Sequence, residues 1–142
     1  MKLANQFFVA GLVLLAGCSE PTGQSSTSST VDPVVLEQLY LKAQPFSYAS
    51  EVAKRCRTIE LDPEESVRLK NEFAKLQREL AVSENAAVRA LKNNYKQRTQ
   101  DDLFAFIEEN QIVVADQNSW CAAGRRMIAQ NDQYGVFLRN RG

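Results

Sequence analysis

Histidine is absent from this chain of 142 residues. Without it neither a Ser-His-Asp nor a Cys-His nucleophile pair can form, and the commonest zinc ligand is missing. Charge of one sign is not in excess either, because 17 Lys and Arg residues balance 17 Asp and Glu residues. Proteins whose main partner is nucleic acid usually have a clear basic excess, so we expect no nucleic-acid partner.

Glycine is scarce, since only Gly124 and Gly135 lie between residues 33 and 141, and no Asn-Gly or Asp-Gly pair signals a hairpin. Gly-rich phosphate loops and the HExxH, GxSxG and EF-hand patterns are missing too. Adjacent carboxylates on a helix point about 100° apart and do not face each other across a cleft, as glycosidases require. These pairs are Glu64-Glu65, Asp101-Asp102 and Glu108-Glu109, and two of them stand near predicted helix N-termini. The sequence therefore predicts no catalytic residues, no metal site and no cofactor.

The N-terminus has the layout of a secretory signal peptide. Lys2 supplies a positive charge, and Phe7 to Ala16 is an uncharged apolar run that is too short to span a bilayer. The segment Leu15-Ala16-Gly17-Cys18 at its end resembles the lipobox of bacterial lipoproteins. An ordinary secreted protein with a chance cysteine at this place is the alternative.

The lipobox resemblance implies removal of residues 1–17 and attachment of acyl chains such as palmitate to Cys18. Two or more chains give stable membrane anchoring. Ser19 stands where lipoproteins retained at the inner membrane typically have Asp, so the resemblance implies an outer-membrane protein with its domain in the periplasm or at the cell surface. Residues 18–32 are rich in Ser and Thr and predict a disordered tether with a span of about 20 Å.

Two cysteines, Cys56 and Cys121, remain in the domain of residues 33–142. The compartment outside the inner membrane is oxidising, so an even number of remaining cysteines predicts a disulfide. A reactive or metal-binding thiol pair is the alternative, but two cysteines without histidine make a poor metal site.

The domain has the patterns of an all-α protein, a compact bundle of about five helices. Asp32-Pro33 starts a helix that Pro45 is expected to end, and Ser47 then caps a second. Further helices are predicted from Asp62-Pro63, from Ser83, from Thr99 (where two helices could merge) and from Ser119 to about Leu138. Ile112 to Val114 is interpreted as a packed loop, because a lone strand has nothing to pair with.

Basic residues flank both cysteines of the predicted disulfide: Lys54, Arg55, Arg57, Arg125 and Arg126. If the bridge forms, it gathers these side chains into a positive patch that could face anionic lipid, lipopolysaccharide or an acidic partner. The plainer interpretation, which the sequence favours, is a solvated face balanced by the acidic residues Glu60, Asp62, Glu64 and Glu65.

Three short segments of the domain resemble small helical two-cysteine proteins of unknown function that proteobacteria export: Ala53-Lys54-Arg55-Cys56, Trp120-Cys121-Ala122-Ala123-Gly124 and Tyr134-Gly135. The resemblance implies a helical, disulfide-bonded domain and no activity. We therefore expect a membrane-anchored, non-catalytic interaction module or accessory subunit of an envelope complex, with an envelope protein as partner. An inhibitor or immunity-type lipoprotein that blocks an envelope-acting enzyme or toxin is the alternative, and a cell-wall hydrolase has the least support.

The lipobox interpretation predicts the effect of replacing Cys18. Cys18→Ala removes the thiol that would take the lipid, so we expect the protein to leave the membrane fraction when cells are fractionated. A variant that stays fully membrane-bound would contradict this interpretation.

Overall fold

Five α-helices and a short two-stranded sheet make up residues 31–142, the part of the chain that the computed structural model describes. The elements are α1 (Pro33–Arg55), β1 (Ile59–Leu61), α2 (Pro63–Glu79), α3 (Glu84–Asn94), α4 (Lys96–Glu109), α5 (Gln117–Gln130), a 3₁₀ helix (Gly135–Phe137) and β2 (Leu138–Asn140). The predicted all-α class with about five helices and one bridge between Cys56 and Cys121 is confirmed in these residues, and the short two-stranded sheet is an addition that the sequence did not predict. The predicted signal peptide, Cys18 and nearly all of the tether of residues 18–32 lie outside them.

Helix α1 continues through Pro45, although the sequence predicted that Pro45 ends one helix and Ser47 starts another. Proline has no N–H, so the Leu41 carbonyl loses its helical donor. The Leu41 residue is half exposed. One buried face spans both sides of the proline, and its packing keeps the helix continuous: Leu36, Leu39, Tyr40, Tyr48, Ala49 and Val52.

Polar caps set several helix starts. The Asp62 carboxylate accepts hydrogen bonds from the backbone N–H groups of Glu64 and Glu65, as its sequence pattern predicted. The break between α3 and α4 falls at Tyr95 and not at Thr99, so Asp101 and Asp102 lie inside α4 rather than at a helix start.

The chain between α4 and the C-terminus differs from the sequence prediction at both ends of α5. Asp116 caps this helix instead of Ser119, and the helix ends at Gln130 where Asn131 has the left-handed φ of 50°. The sequence predicted helix as far as Leu138. After the 3₁₀ helix, β2 pairs antiparallel with β1, with Leu138 opposite Leu61. No hairpin signal could reveal this pair, because most of the domain separates its two strands.

The core lies where α1, β1 and α5 meet. Its largest fully buried side chains are Trp120, Phe106, Leu39, Ile59, Met127 and Val52. The disulfide joins Cys56, just after α1, to Cys121 in the second turn of α5, and the Cα atoms of the two residues are 4.9 Å apart. It closes a loop with a sequence separation of 65 residues. In the chain-entropy model a loop of this size contributes about 4 kcal/mol to stability.

Two glycines allow close packing against this core. A Cβ atom at Gly124 would lie 2.7 Å from Val52 Cγ1 and 2.6 Å from Ile59 Cδ1. At Gly135 a Cβ would lie 1.9 Å from the backbone carbonyl oxygen of Met127. Gly135 belongs to the 3₁₀ helix and not to the last helix, where the sequence placed it, and it lets this segment pack directly on α5.

Gly135→Ala tests this contact. The added methyl group meets backbone and not the flexible end of a side chain, so we expect a loss of about 3 kcal/mol of unfolding free energy, measured by urea denaturation. Gly142→Ala is the matched control, because a Cβ at Gly142 meets nothing within 4 Å. Equal stability of the two variants would contradict the packing described here.

Candidate interaction surface

Residues 110–116, between α4 and α5, form a loop that exposes two adjacent valines. Val113 is 60% exposed and Val114 is 51% exposed, whereas Ile112 beside them is buried. We call residues 110–116 the valine loop. It presents two neighbouring apolar side chains to solvent and is anchored in the core by the third.

Hydrogen bonds fix the valine loop. The Ser119 hydroxyl oxygen accepts from the Val113 N–H at 2.9 Å and lies 2.9 Å from the Val113 carbonyl. The Trp120 indole N–H donates to the Val114 carbonyl at 3.1 Å, and the Ile112 N–H donates to the Ile107 carbonyl at 2.9 Å. Ser119 and Trp120 of α5 therefore fix the backbone of both valines.

Trp120 connects the valine loop to the disulfide. Its side chain is 1% exposed and stands next to Cys121 in sequence, as expected for a core tryptophan beside the bridge. The Arg55 guanidinium lies 4.7 Å from the centroid of the Trp120 ring, a cation–π distance. The end of α1 therefore contacts the residue that supports the valine loop.

The structure connects only some of the predicted basic residues to this surface. Arg55 stacks on Trp120, and Arg126 donates to the Asn110 carbonyl at 2.7 Å. Lys54 Nζ lies 2.8 Å from Glu51 Oε1, and this hydrogen bond lowers the pKa of the Glu51 carboxyl. The two remaining side chains are exposed and form no ion pair within residues 31–142: Arg57 and Arg125.

Most of the acidic residues expected to balance the basic patch have other partners. Glu60 forms ion pairs with Arg139 at 2.7 Å and Arg141 at 3.3 Å, and these bonds lower its pKa. Asp62 caps α2, and Glu65 pairs with Arg68 on the same helix. The counter-charge that the sequence placed near the disulfide is therefore mostly used along β1, β2 and α2.

A polar network between α1 and α4 was missed by the sequence analysis. The Tyr40 hydroxyl donates to Asp102 Oδ2 at 2.6 Å, and the Gln44 amide donates to the same oxygen at 2.9 Å and to the Tyr48 hydroxyl at 3.0 Å. This network borders an open cleft of about 300 Å³ that Glu109 and Tyr134 also line. The spacing of Tyr40, Gln44 and Tyr48 marks one helix face, but their partner Asp102 lies far along the chain.

All four tyrosines of the chain have raised pKa values. Burial is the main cause for each, and for Tyr40 and Tyr95 the hydrogen bond to a carboxylate, Asp102 or Glu37, adds to it. Arg98 and Tyr95 together hold the pKa of the Glu37 carboxyl below its usual value. The fold thus favours neutral tyrosines and an ionised Glu37.

Two further kinds of feature, a metal-binding group and a membrane-spanning helix, are absent from residues 31–142. No group of three or more Cys, Asp or Glu side chains is placed there to hold a metal ion. No helix in the same residues is long and apolar enough to cross a membrane.

The fold and the bridge define a class: small disulfide-bonded helical bundles. The model of a family of unknown function, DUF5333, matches residues 36–139, and the chain belongs to this family. No curated protein and no solved structure matches the chain. The matched residues begin inside α1, include α2 to α5 and both cysteines of the disulfide, and membership assigns no activity.

The tyrosine pKa values predict alkaline unfolding. Neutral tyrosine is favoured in the folded state, so its contribution to stability is complete below pH 10 and is lost as the pH rises above 10, where the unfolded chain ionises. We expect tyrosinate absorbance to appear at a higher pH in the native protein than in the same chain in denaturant. In the native protein it should appear together with the loss of helix. Tyr40→Phe should reduce this loss of stability. If the tyrosines ionise at the same pH in the native and the denatured protein, their pKa values are not raised by the fold.

Proposed function

We propose that the protein is a lipid-anchored protein of the bacterial envelope that works as a non-catalytic interaction module, an accessory subunit of an envelope complex. The anchor follows from the resemblance of Leu15-Ala16-Gly17-Cys18 to a lipobox. The interaction follows from the valine loop, which is the observation that carries the proposal.

Single exposed valines are common on protein surfaces and need no explanation. Val113 and Val114 differ because they are adjacent and their backbone is hydrogen-bonded to Ser119 and Trp120. A contact loop that is already fixed loses little conformational entropy on binding, so more of the interaction energy becomes affinity. Such a loop is suited to fill an apolar pocket on a partner protein.

The charges around the valine loop indicate what surrounds that pocket. Arg55 and Arg126 contact the loop or its supporting tryptophan. Arg57 comes directly after Cys56, and Arg125 comes one helical turn after Cys121. Neither has a carboxylate partner in the part of the chain described. We infer a partner whose apolar pocket has an acidic rim, because such a rim would speed association and select against basic surfaces.

The start of α1 and the valine loop lie at opposite ends of this helix. The chain enters this helix at Pro33, and the other end carries Arg55 against Trp120. A helix of 23 residues is about 33 Å long. A flexible tether from Cys18 to Pro33 would attach the domain at the end of α1 that lies farther from the valine loop, and would leave the loop free to reach a periplasmic or surface partner.

An inhibitor or immunity-type protein is the second candidate. A fixed loop beside a disulfide is also a suitable element for blocking an enzyme, since preorganised loops bind with little rearrangement. The two candidates differ in the identity of the partner: a component of an envelope complex in the first case, an enzyme or toxin whose activity stops on binding in the second.

Site-specific photo-crosslinking in cells tests the proposed surface. We expect a photoreactive amino acid at Val113 of the anchored chain to capture one dominant envelope protein, identified by mass spectrometry. Val67 on α2 is the matched control, because it is 58% exposed, close to the 60% of Val113. Capture should be lost when Val114→Asp is added, since the charge would have to enter the apolar pocket.

The captured protein should then bind the purified chain, and Val114→Asp should weaken this binding about tenfold or more. Val67→Asp should leave it unchanged. Equal capture from Val67 and Val113, or binding that tolerates Val114→Asp, would contradict the proposal. A captured enzyme that loses activity on binding would favour the inhibitor.

A further inference from the structure

A second concave site lies where α1, α3 and α4 meet, at the break between α3 and α4. It is an open cleft of about 360 Å³ with mainly apolar walls. It is lined by Tyr40, Leu91, Lys92, Tyr95, Lys96, Thr99 and Gln100. This volume and this mixture of apolar walls and few charged groups are typical of small-molecule sites.

Contacts fix the aromatic side of this cleft. The rings of Tyr40 and Tyr95 lie with their centroids 4.7 Å apart, and the Arg98 guanidinium lies 4.7 Å from the Tyr40 centroid. The Tyr95 hydroxyl donates to Glu37 at 3.0 Å, and Arg98 pairs with the same carboxylate at 2.6 Å. The cleft is therefore preformed, and the two carboxylates beside its aromatic side, Glu37 and Asp102, both have partners.

The chain segment around the break between α3 and α4 is basic although the protein as a whole is neutral. Residues 85–100 contain no acidic residue and four basic ones: Arg89, Lys92, Lys96 and Arg98. Lys92 and Lys96 are exposed and form no ion pair within the described residues. They are four positions apart on either side of the break at Tyr95, a spacing at which like charges in a continuous helix repel. Two ammonium groups without counter-charge thus border an apolar cleft.

We propose that this cleft binds a fatty acid. The alkyl chain lies against Leu91 and the rings of Tyr40 and Tyr95, and the carboxylate lies between the ammonium groups of Lys92 and Lys96. An inorganic anion would leave the apolar walls uncovered, and a neutral alkyl compound would leave the lysines without a counter-charge.

Titration with dodecanoate below its micelle concentration tests this site. The protein is the full chain with Cys18→Ala, followed residue by residue in NMR spectra. We expect saturable shifts at residues 91–100 and at Tyr40, and about tenfold weaker binding in Lys92→Gln/Lys96→Gln. Both lysines are exposed, so the variant should keep its fold and its disulfide. Lys70→Gln on α2 is the matched control, because Lys70 is also exposed and forms no ion pair in the described residues.

Two further ligands separate the contributions of chain and charge. Dodecyl maltoside has the same alkyl chain and a neutral headgroup, and acetate has the carboxylate alone. We expect each to bind at least tenfold more weakly than dodecanoate.

Three results would overturn the proposal. The first is the absence of saturable shifts around the cleft, or shifts confined to other apolar surfaces such as the valine loop. The second is equal binding of dodecanoate to the double lysine variant and to the Lys70→Gln control. The third is binding to vesicles of anionic phospholipid without binding to dodecanoate, which would make the lysines a membrane contact. None of these results depends on the proposed partner of the valine loop.

Discussion

The disulfide between Cys56 and Cys121 joins the end of α1 to α5, and the other features of the domain follow from this junction. Gly124 lets Val52 and Ile59 approach α5, so that α1, β1 and α5 share one core. Trp120, next to the bridge, supports the valine loop through its indole N–H. The constraint that closes the core thus also fixes the surface proposed to bind a partner, and a loss of the disulfide would disturb both.

The two proposed binding sites lie toward opposite ends of α1. Tyr40 in the first half of the helix lines the lysine-bordered cleft, and Arg55 at its end supports the valine-loop side. A continuous helix makes this separation rigid, and it is continuous only because packing on both sides of Pro45 overcomes the lost hydrogen bond. An anchored chain could hold a small ligand near the tether and a protein partner beyond it, without competition between the two.

Local patterns in the sequence predicted most helices and the disulfide, and failed where distant contacts decide. The cap at Asp62 was predictable because its partners are two and three residues away. The β1–β2 pair was not predictable, since its strands carry no turn signal and most of the domain's sequence separates them. The same reason hid the network of Tyr40 and Asp102, whose members lie on different helices. The sequence also identified the basic residues on either side of the disulfide. Which of them pair with a carboxylate depends on acidic residues elsewhere in the fold.

The sequence by itself determined the helical class, the pairing of the two domain cysteines and the absence of histidine chemistry, because composition, helix caps and cysteine number act locally or by counting. Only the tertiary structure decided that Val113 and Val114 are exposed while Ile112 is buried, and that Lys92 and Lys96 border an apolar cleft. Exposure and charge balance depend on which helices meet, and that depends on the whole chain. The proposed binding surfaces are therefore defined only in the packed structure.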